Sequence, residues 1–402
     1  MNANRPEKEI VSLPKGWTTA RLKDICPIIA GQSPPSRTYR LREEGLPFFQ
    51  GKADFGKRSP APRIWCIQPL KIARPGDILV SVRAPVGPTN VADRVCCIGR
   101  GLSAIRCGPR INQEFLFFWL KKVESILAGM GNGSTFPAIS RTELEGLNIP
   151  LPPLAEQLRI AAILNERMEA IDRARAAAES QIKSAVALVK AHLRRIFSQD
   201  SKAFPVGWRI AALESVCSRI DYGFTASATN SPGVPRLLRI TDIQDGIVNW
   251  NTVPGCSISK EDEEFYCLRD GDIMFARTGA TTGKSYRLQN PPRSVFASYL
   301  IRIRAKPELV KPEFLGLYFQ SDHYWRQIAA GVRGGAQAGF NASMLSKLLI
   351  PFPALREQEA IVAVLDSCLA SIENLRKNLG KQLTEINALP QALLRQAFNG
   401  EL

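Results

Sequence analysis

Three strings in this 402-residue chain are spaced like parts of active sites. Gly279-Ala-Thr-Thr-Gly-Lys284-Ser285 is one residue short of the loop in which glycine amides and a lysine cradle a nucleotide phosphate. That chemistry also needs a helix directly afterwards, and Tyr286-Arg-Leu-Gln-Asn-Pro-Pro cannot supply one. Asn290-Pro-Pro-Arg293 has three residues of the Asn-Pro-Pro-aromatic loop with which adenine-N6 methyltransferases stack a flipped base. Arg293 offers no ring, and no glycine-rich cofactor loop follows a strand upstream. Gly131-Asn-Gly-Ser-Thr135 reads as a flexible loop whose Asn132, Ser134 and Thr135 suit phosphate contacts. With two histidines (His192, His323) and nine cysteines lacking any CxxC pair, a zinc site is not expected; reduced, buried thiols are. No catalytic residue, metal site or bound cofactor is therefore expected in this chain.

Binding is the better-supported chemistry. The formal net charge is +16, and most of the surplus lies in residues 1–150, whereas residues 351–402 are slightly acidic. A folded protein with this charge most often meets a polyanion, usually nucleic acid. Reading base edges takes Arg, Lys, Gln or Asn side chains surrounded by groups that hold phosphates. Phe49-Gln50-Gly51-Lys52 through Lys57-Arg58 couples such residues to glycine turns, and Leu238-Arg239-Ile-Thr241-Asp242 is its counterpart. Arg83 and Arg277 each follow a Gly-Asp-initiated strand, one residue out of register with each other. Lys284 and Arg333 lie in glycine-rich loops. The DNA-contact candidates are thus Gln50, Lys52, Lys57, Arg58, Arg83, Asn132, Ser134, Thr135, Arg239, Thr241, Arg277, Lys284 and Arg333. For each one singly, a solvated surface group is the plain alternative. No signal peptide and no run of roughly 18 apolar residues is read, so a cytoplasmic protein is expected.

The elements that must position these residues occur twice. Pro-Leu-Pro-Pro-Leu-Ala-Glu-Gln (Pro150 to Gln157) returns as Pro-Phe-Pro-Ala-Leu-Arg-Glu-Gln (Pro351 to Gln358), and the same offset of 201 holds to Phe197 and Phe398. Pro14-Lys-Gly-Trp17 reappears as Pro205-Val-Gly-Trp208, Asp77-Ile-Leu-Val as Asp272-Ile-Met-Phe, and Glu114-Phe-Leu116 as Glu313-Phe-Leu315. A period near 200 residues is too long for a solenoid and means a duplicated two-part module, pseudo-symmetric as a whole. Residues 1–150 and 199–350 read as loop-rich mixed α/β domains. Residues 151–198 and 351–402 read as long helices. Leu164, Met168, Ile171, Arg175, Ala178, Ile182, Ala185, Val189, His192 and Ile196 form a heptad seam, mirrored by Leu365, Leu369, Ile372, Arg376, Leu379, Leu383, Ile386, Pro390 and Leu393. Such a seam needs a partner helix, and the obvious partner is its own duplicate. Arg175 and Arg376 interrupt it at the same place, either reaching solvent or fixing register as a polar layer. Pro390 is expected to kink or interrupt the second helix. The class is α+β.

In this order and number, these motifs resemble the DNA-specificity subunit of type I restriction–modification systems over essentially the whole chain. The Pro-x-Pro-x-Leu-x-Glu-Gln helix starts, the Gly-Trp openings, the Gly-Asp-Ile strand and the ending Ala397-Phe-Asn-Gly-Glu-Leu402 carry the resemblance. It implies two target-recognition domains, each reading half of a split double-stranded DNA site. It also implies two helices paired as an antiparallel coiled coil that spaces the domains and docks methyltransferase subunits. Two such subunits are expected because the docking surface is duplicated. Restriction subunits then join through them, and S-adenosylmethionine, ATP and Mg belong to those partners. The alternatives are a coiled-coil scaffold with nonspecific DNA binding and, motivated only by Asn290-Pro-Pro-Arg293, a DNA adenine methyltransferase.

Overall fold

The computed structural model describes residues 13–131, 137–197, 204–244, 247–332 and 339–402. It divides into two units, Met1–Ala178 with Gly380–Leu402, and Glu179–Leu379. Both cuts fall inside long helices, so each unit combines one globular domain with a piece of each helix.

In the first unit, strand Thr18–Arg21 pairs antiparallel with Asn148–Leu151, Thr18 opposite Leu151, which zips together the chain entering and leaving the domain. A four-stranded antiparallel sheet then runs in the order Ile28–Ala30, Leu102–Ile105, Ile78–Ser81, Thr89–Val91. Its inner strands are buried along their whole length, and alternation divides their side chains between two cores. Ile78, Val80 and Ile105 face the helix Gln113–Lys122 and its Phe115, Leu116 and Trp119. Leu79, Leu102 and Ala104 pack instead with Phe49, Cys96 and Ile98. Phe49 and Ile98 come from a parallel strand pair, Leu46–Phe49 beside Cys96–Ile98.

The second unit repeats this plan. Arg209–Ala212 pairs with Leu349–Phe352, and the sheet order is Cys217–Tyr222, Leu300–Ala305, Ile273–Ala276, Ser285–Arg287. Arg236–Leu238 and Ser294–Phe296 form the parallel pair. The Gly-Asp motif is explained in both copies. Gly76 and Gly271 adopt φ +88 and +81, a region that disfavours any Cβ. The Asp77 carboxylate then accepts the Arg74 N–H (2.8 Å) and both arms of the Arg106 guanidinium (2.9 and 2.7 Å). Asp272 does the same with Arg269 N–H and Arg304. The paired carboxylates hold both arginines above their ordinary pKa.

The two helices span Leu154–Ile196 and Leu355–Phe398. Their shared Glu-Gln start is a structural clamp. Gln157, fully buried, accepts the Asn112 N–H at 2.8 Å and donates to the carbonyls of Arg110 and Pro152. Gln358, also fully buried, accepts the Lys311 N–H and donates to Leu309 and Pro353 in the same way. The Gly-Trp openings pack against aromatic anchors. Trp17 meets Phe115, which meets Phe398; Trp208 meets both Phe314 and Phe197. Phe398 and Phe197 are equivalent by the 201 offset, so each helix end is seated in the core of one unit. The first unit also buries Ile160, Ala161 and Leu164 from the start of the central helix. Contacts there run from Arg159 with Leu402 to Arg175 with Asn387, rising along one helix while falling along the other. The pairing is antiparallel.

Every heptad position named from Leu164 to Ile196 is buried or half-buried. The interrupting arginines differ from each other. Arg175 is half-buried and donates to Asn387 Oδ1 (2.8 Å) on the facing helix, whereas Arg376 is exposed beside Glu373. Of the expected kink or interruption at Pro390, the interruption is not there: the helix runs to Phe398 with Pro390 inside it. The missing N–H leaves one carbonyl without its helical donor. The helix continues because Leu393, Leu394, Ala397 and Phe398, directly beyond, are buried in the first unit's core.

Candidate nucleic-acid interface

Antiparallel neighbours bring the ends of some strands to the beginnings of others, and this assembles one polar cleft in the first unit. Residues following Ile28–Ala30, Leu46–Phe49, Ile78–Ser81 and Cys96–Ile98 all arrive at the end of the sheet where Leu102–Ile105 begins. There Ser33, Gln50, Lys52, Ser81, Arg83 and Arg100 line a cleft of about 220 Å³. Three of the predicted residues therefore meet in one place. The lining includes no carboxylate, and among the described residues Lys52, Arg83 and Arg100 have no ion-pair partner. The Ser81 hydroxyl donates to the carbonyls of Arg83 and Pro85, fixing the loop that carries Arg83. The Asp54 carboxylate accepts the Gln50 and Gly51 N–H groups and so shapes the turn that presents Gln50 and Lys52.

Lys57 and Arg58 lie apart from that cleft, in pairs that tie their loop to helices. Lys57 reaches Asp172 at 2.7 Å; Arg58 pairs with Glu114 and lies over the Phe117 ring at 5.1 Å. Asn132, Ser134, Thr135 and Arg333 fall outside the described residues. Larger hollows exist, such as one of about 410 Å³ beside Asp322 and Trp325, but Asp322 is already bound to Arg194.

In the second unit the same strand ends carry different groups. Arg239 is held by Asp242 through two guanidinium contacts (3.0 and 2.7 Å), which raises its pKa and fixes its direction. Thr241 and Lys284 are both exposed. Arg277 is not the structural equal of Arg83. Ile139 N–H bonds to the Val82 carbonyl while Phe340 N–H bonds to the Arg277 carbonyl, so Arg277 occupies the place of Val82. A one-residue slip in extended chain reverses the face. Arg277 consequently lies over the Tyr222 ring (4.9 Å) with a buried Nε that has no hydrogen-bond partner among the described residues, while Thr278 takes the position of Arg83.

The motif look-alikes have other roles. Ser285–Arg287, after the Gly279–Lys284 string, is a strand paired with Ile273–Ala276. Asn290 takes φ 43 in a turn, and Arg293 is bound by Glu263. Cys26, Cys66, Cys96, Cys97, Cys217 and Cys256 are buried free thiols, and burial pushes Cys96 and Cys217 up to about 12. Among the described residues no cluster of His, Cys, Asp or Glu could hold a metal, and no helix is long and apolar enough to cross a membrane.

Two stretches of the chain, residues 14–184 and 206–385, match the model of the type I restriction modification DNA specificity domain. The chain belongs to that family. The two matched stretches are its two copies of the domain, and the family is the non-catalytic, specificity subunit of type I systems. Among curated relatives, the putative type I restriction enzyme MjaX specificity subunit of Methanocaldococcus jannaschii is 43% identical over 169 residues, covering 41% of this chain and 39% of that protein. The type I restriction enzyme EcoKI specificity subunit of Escherichia coli is 24% identical across 97% of this chain and 90% of its own length. Two solved chains share the fold. One comes from a study of complex assembly and conformational transition of the type I R-M system (TM-score 0.78, 23% identity, 99% of this chain and 100% of that one). The other is the HsdS subunit from Thermoanaerobacter tengcongensis (TM-score 0.61, 23% identity, 97% and 98%).

Sequence reasoning on this specificity-family chain missed Ser33 and Arg100, which line the same cleft. The glycines flanking Arg100 were the available signal, since Gly-Arg-Gly after an apolar strand presents one side chain on a tight turn.

Proposed function

We propose that each unit reads one half of a bipartite double-stranded DNA site, and that the paired helices dock methyltransferase subunits of a type I restriction–modification complex. The observation that carries the reading is the cleft lined without a carboxylate, where Gln50, Lys52, Arg83 and Arg100 meet and the cations have no ion-pair partner among the described residues. Unpaired cations beside a flexible amide suit phosphate positioning together with base-edge contacts. Two methyltransferase copies dock, one per helix repeat, and restriction subunits join through them. Support comes from Leu188 and Leu389, equivalent by the 201 offset, which are 50% and 47% exposed on the helices. S-adenosylmethionine, ATP and Mg are bound by those partners and not by this chain. Asn290-Pro-Pro-Arg293 does not offer methyl transfer a stacking ring, and its arginine is engaged by Glu263.

The test is competition between specific and random duplexes at fixed salt, using the full chain with its methyltransferase. The reading expects roughly a thousandfold or greater preference for the specific duplex. Equal binding would leave the scaffold alternative. Methyl incorporation by the isolated chain would instead make it an enzyme.

A further inference from the structure

Each unit places one turn at the same point of its sheet, and the two turns present different side chains. In the first unit Gly99-Arg100-Gly101 joins Cys96–Ile98 to Leu102–Ile105. Its backbone is tied on three sides. Gly99 N–H donates to the Phe49 carbonyl (2.8 Å), Arg100 N–H to Ser33 Oγ (3.3 Å), and the Gly101 carbonyl accepts Val82 N–H (2.9 Å). A Cβ at Gly101 would lie 2.2 Å from the Gln50 carbonyl oxygen, and one at Gly99 would lie 3.2 Å from the Phe48 ring. Arg100 is thus the one side chain this turn can project, and it is exposed on the cleft.

Ala297-Ser298-Tyr299 takes the same place in the second unit. Leu300 N–H closes onto the Ala297 carbonyl (2.9 Å) as Leu102 N–H closes onto Gly99 (3.0 Å), and Ser298 N–H donates to Phe224 (3.1 Å). This turn presents a hydroxyl and the 62% exposed ring of Tyr299, not a guanidinium.

We propose that this turn sets the sequence preference of each unit, and that Arg100 reads a guanine in the half-site of the first. The inference rests on the DNA-reading function proposed above. A phosphate contact needs only positive charge, which a mobile lysine supplies. A bidentate contact to guanine O6 and N7 is made best by a planar fork held in place, and here the root is pinned while the fork has no partner among the described residues. Lys52 and Arg83 on the flanks supply charge for the backbone. Ser298 and Tyr299 have no such fork, so this position does not give the second half-site the same bidentate guanine contact. A single turn thereby lets one duplicated scaffold read two different half-sites.

The test uses the full chain with its methyltransferase as wild type, Arg100→Ala and Arg100→Lys, after the site of the wild type has been mapped from the bases it methylates. Arg100 is exposed, so equal melting temperatures are expected. Arg100→Ala should bind the specific duplex roughly 5- to 150-fold more weakly while random duplex binding changes little. Changing one guanine of the first half-site should cost the wild type the same factor and cost the variant nothing further. Arg100→Lys, which keeps the charge and loses the fork, should keep its random-duplex binding and lose part of the guanine discrimination. Equal weakening on specific and random duplexes, with a shallower salt dependence, would overturn the proposal in favour of a phosphate contact. Undiminished discrimination by Arg100→Ala would overturn it as well. A wild type without preference for any duplex would refute the DNA-reading function itself, a failure visible in the parent protein and not in the variants.

Discussion

Gln157 and Gln358 show how a motif can be legible while its work is not. The Glu-Gln helix start identifies the repeat, yet nothing in the string says that its glutamine is buried with three backbone partners. Those partners are distant in sequence, such as Asn112 and Arg110, and they meet only in the fold. Replacing either glutamine with alanine leaves three backbone groups to find other partners, so each change should lower stability by about 1–3 kcal/mol. Denaturant unfolding checks this, and the double variant should lose close to the sum because the clamps lie in separate units. The residues of the cleft were partly legible for the same reason. Gln50, Lys52 and Arg83 are marked by glycine turns and a strand end. Lys57 and Arg58 look identical in sequence but are engaged by Asp172 and Glu114. Arg277 resembles Arg83 in sequence, and one residue of register turns it onto Tyr222.

The helices were the most legible elements, because a heptad seam is a local pattern and its burial follows directly. What the pattern cannot fix is the fate of polar interruptions. Arg175 has Asn387 opposite it, and Arg376 has no such amide and reaches solvent. Pro390 departs from expectation for the same reason: local propensity favours a break, and the buried residues beyond it hold the helix together. Pro390→Ala restores a backbone donor and should stabilise the protein by up to about 3 kcal/mol, measured by thermal unfolding. On the proposed docking of two methyltransferase copies, Leu188→Asp should weaken docking of one and Leu389→Asp of the other, read as complexes of reduced mass at limiting concentration. A matched heptad inserted after Ala178 and after Leu379 enters where the two units divide and leaves both cores intact. It should lengthen the nonspecific spacer by about three base pairs, seen in the methylated motif, since seven helical residues add about 10 Å. Unchanged spacing would mean that the helices do not set the distance.

The duplication is visible along the whole chain in its residues alone, and each unit bears it out in sheet order, aspartate–arginine pairing and aromatic anchors. Sheet edges and parallel pairs are not visible there, because strands of two to six residues carry too short a pattern to reveal their partners. The central claim is that the two units read DNA independently. Its most direct test exchanges residues 15–150 for the equivalent segment of a relative, keeping both helices, and maps methylated bases genome-wide with the methyltransferase present. The account predicts that one half of the recognised sequence changes while the other half and the spacer persist. A simultaneous change in both halves would contradict it.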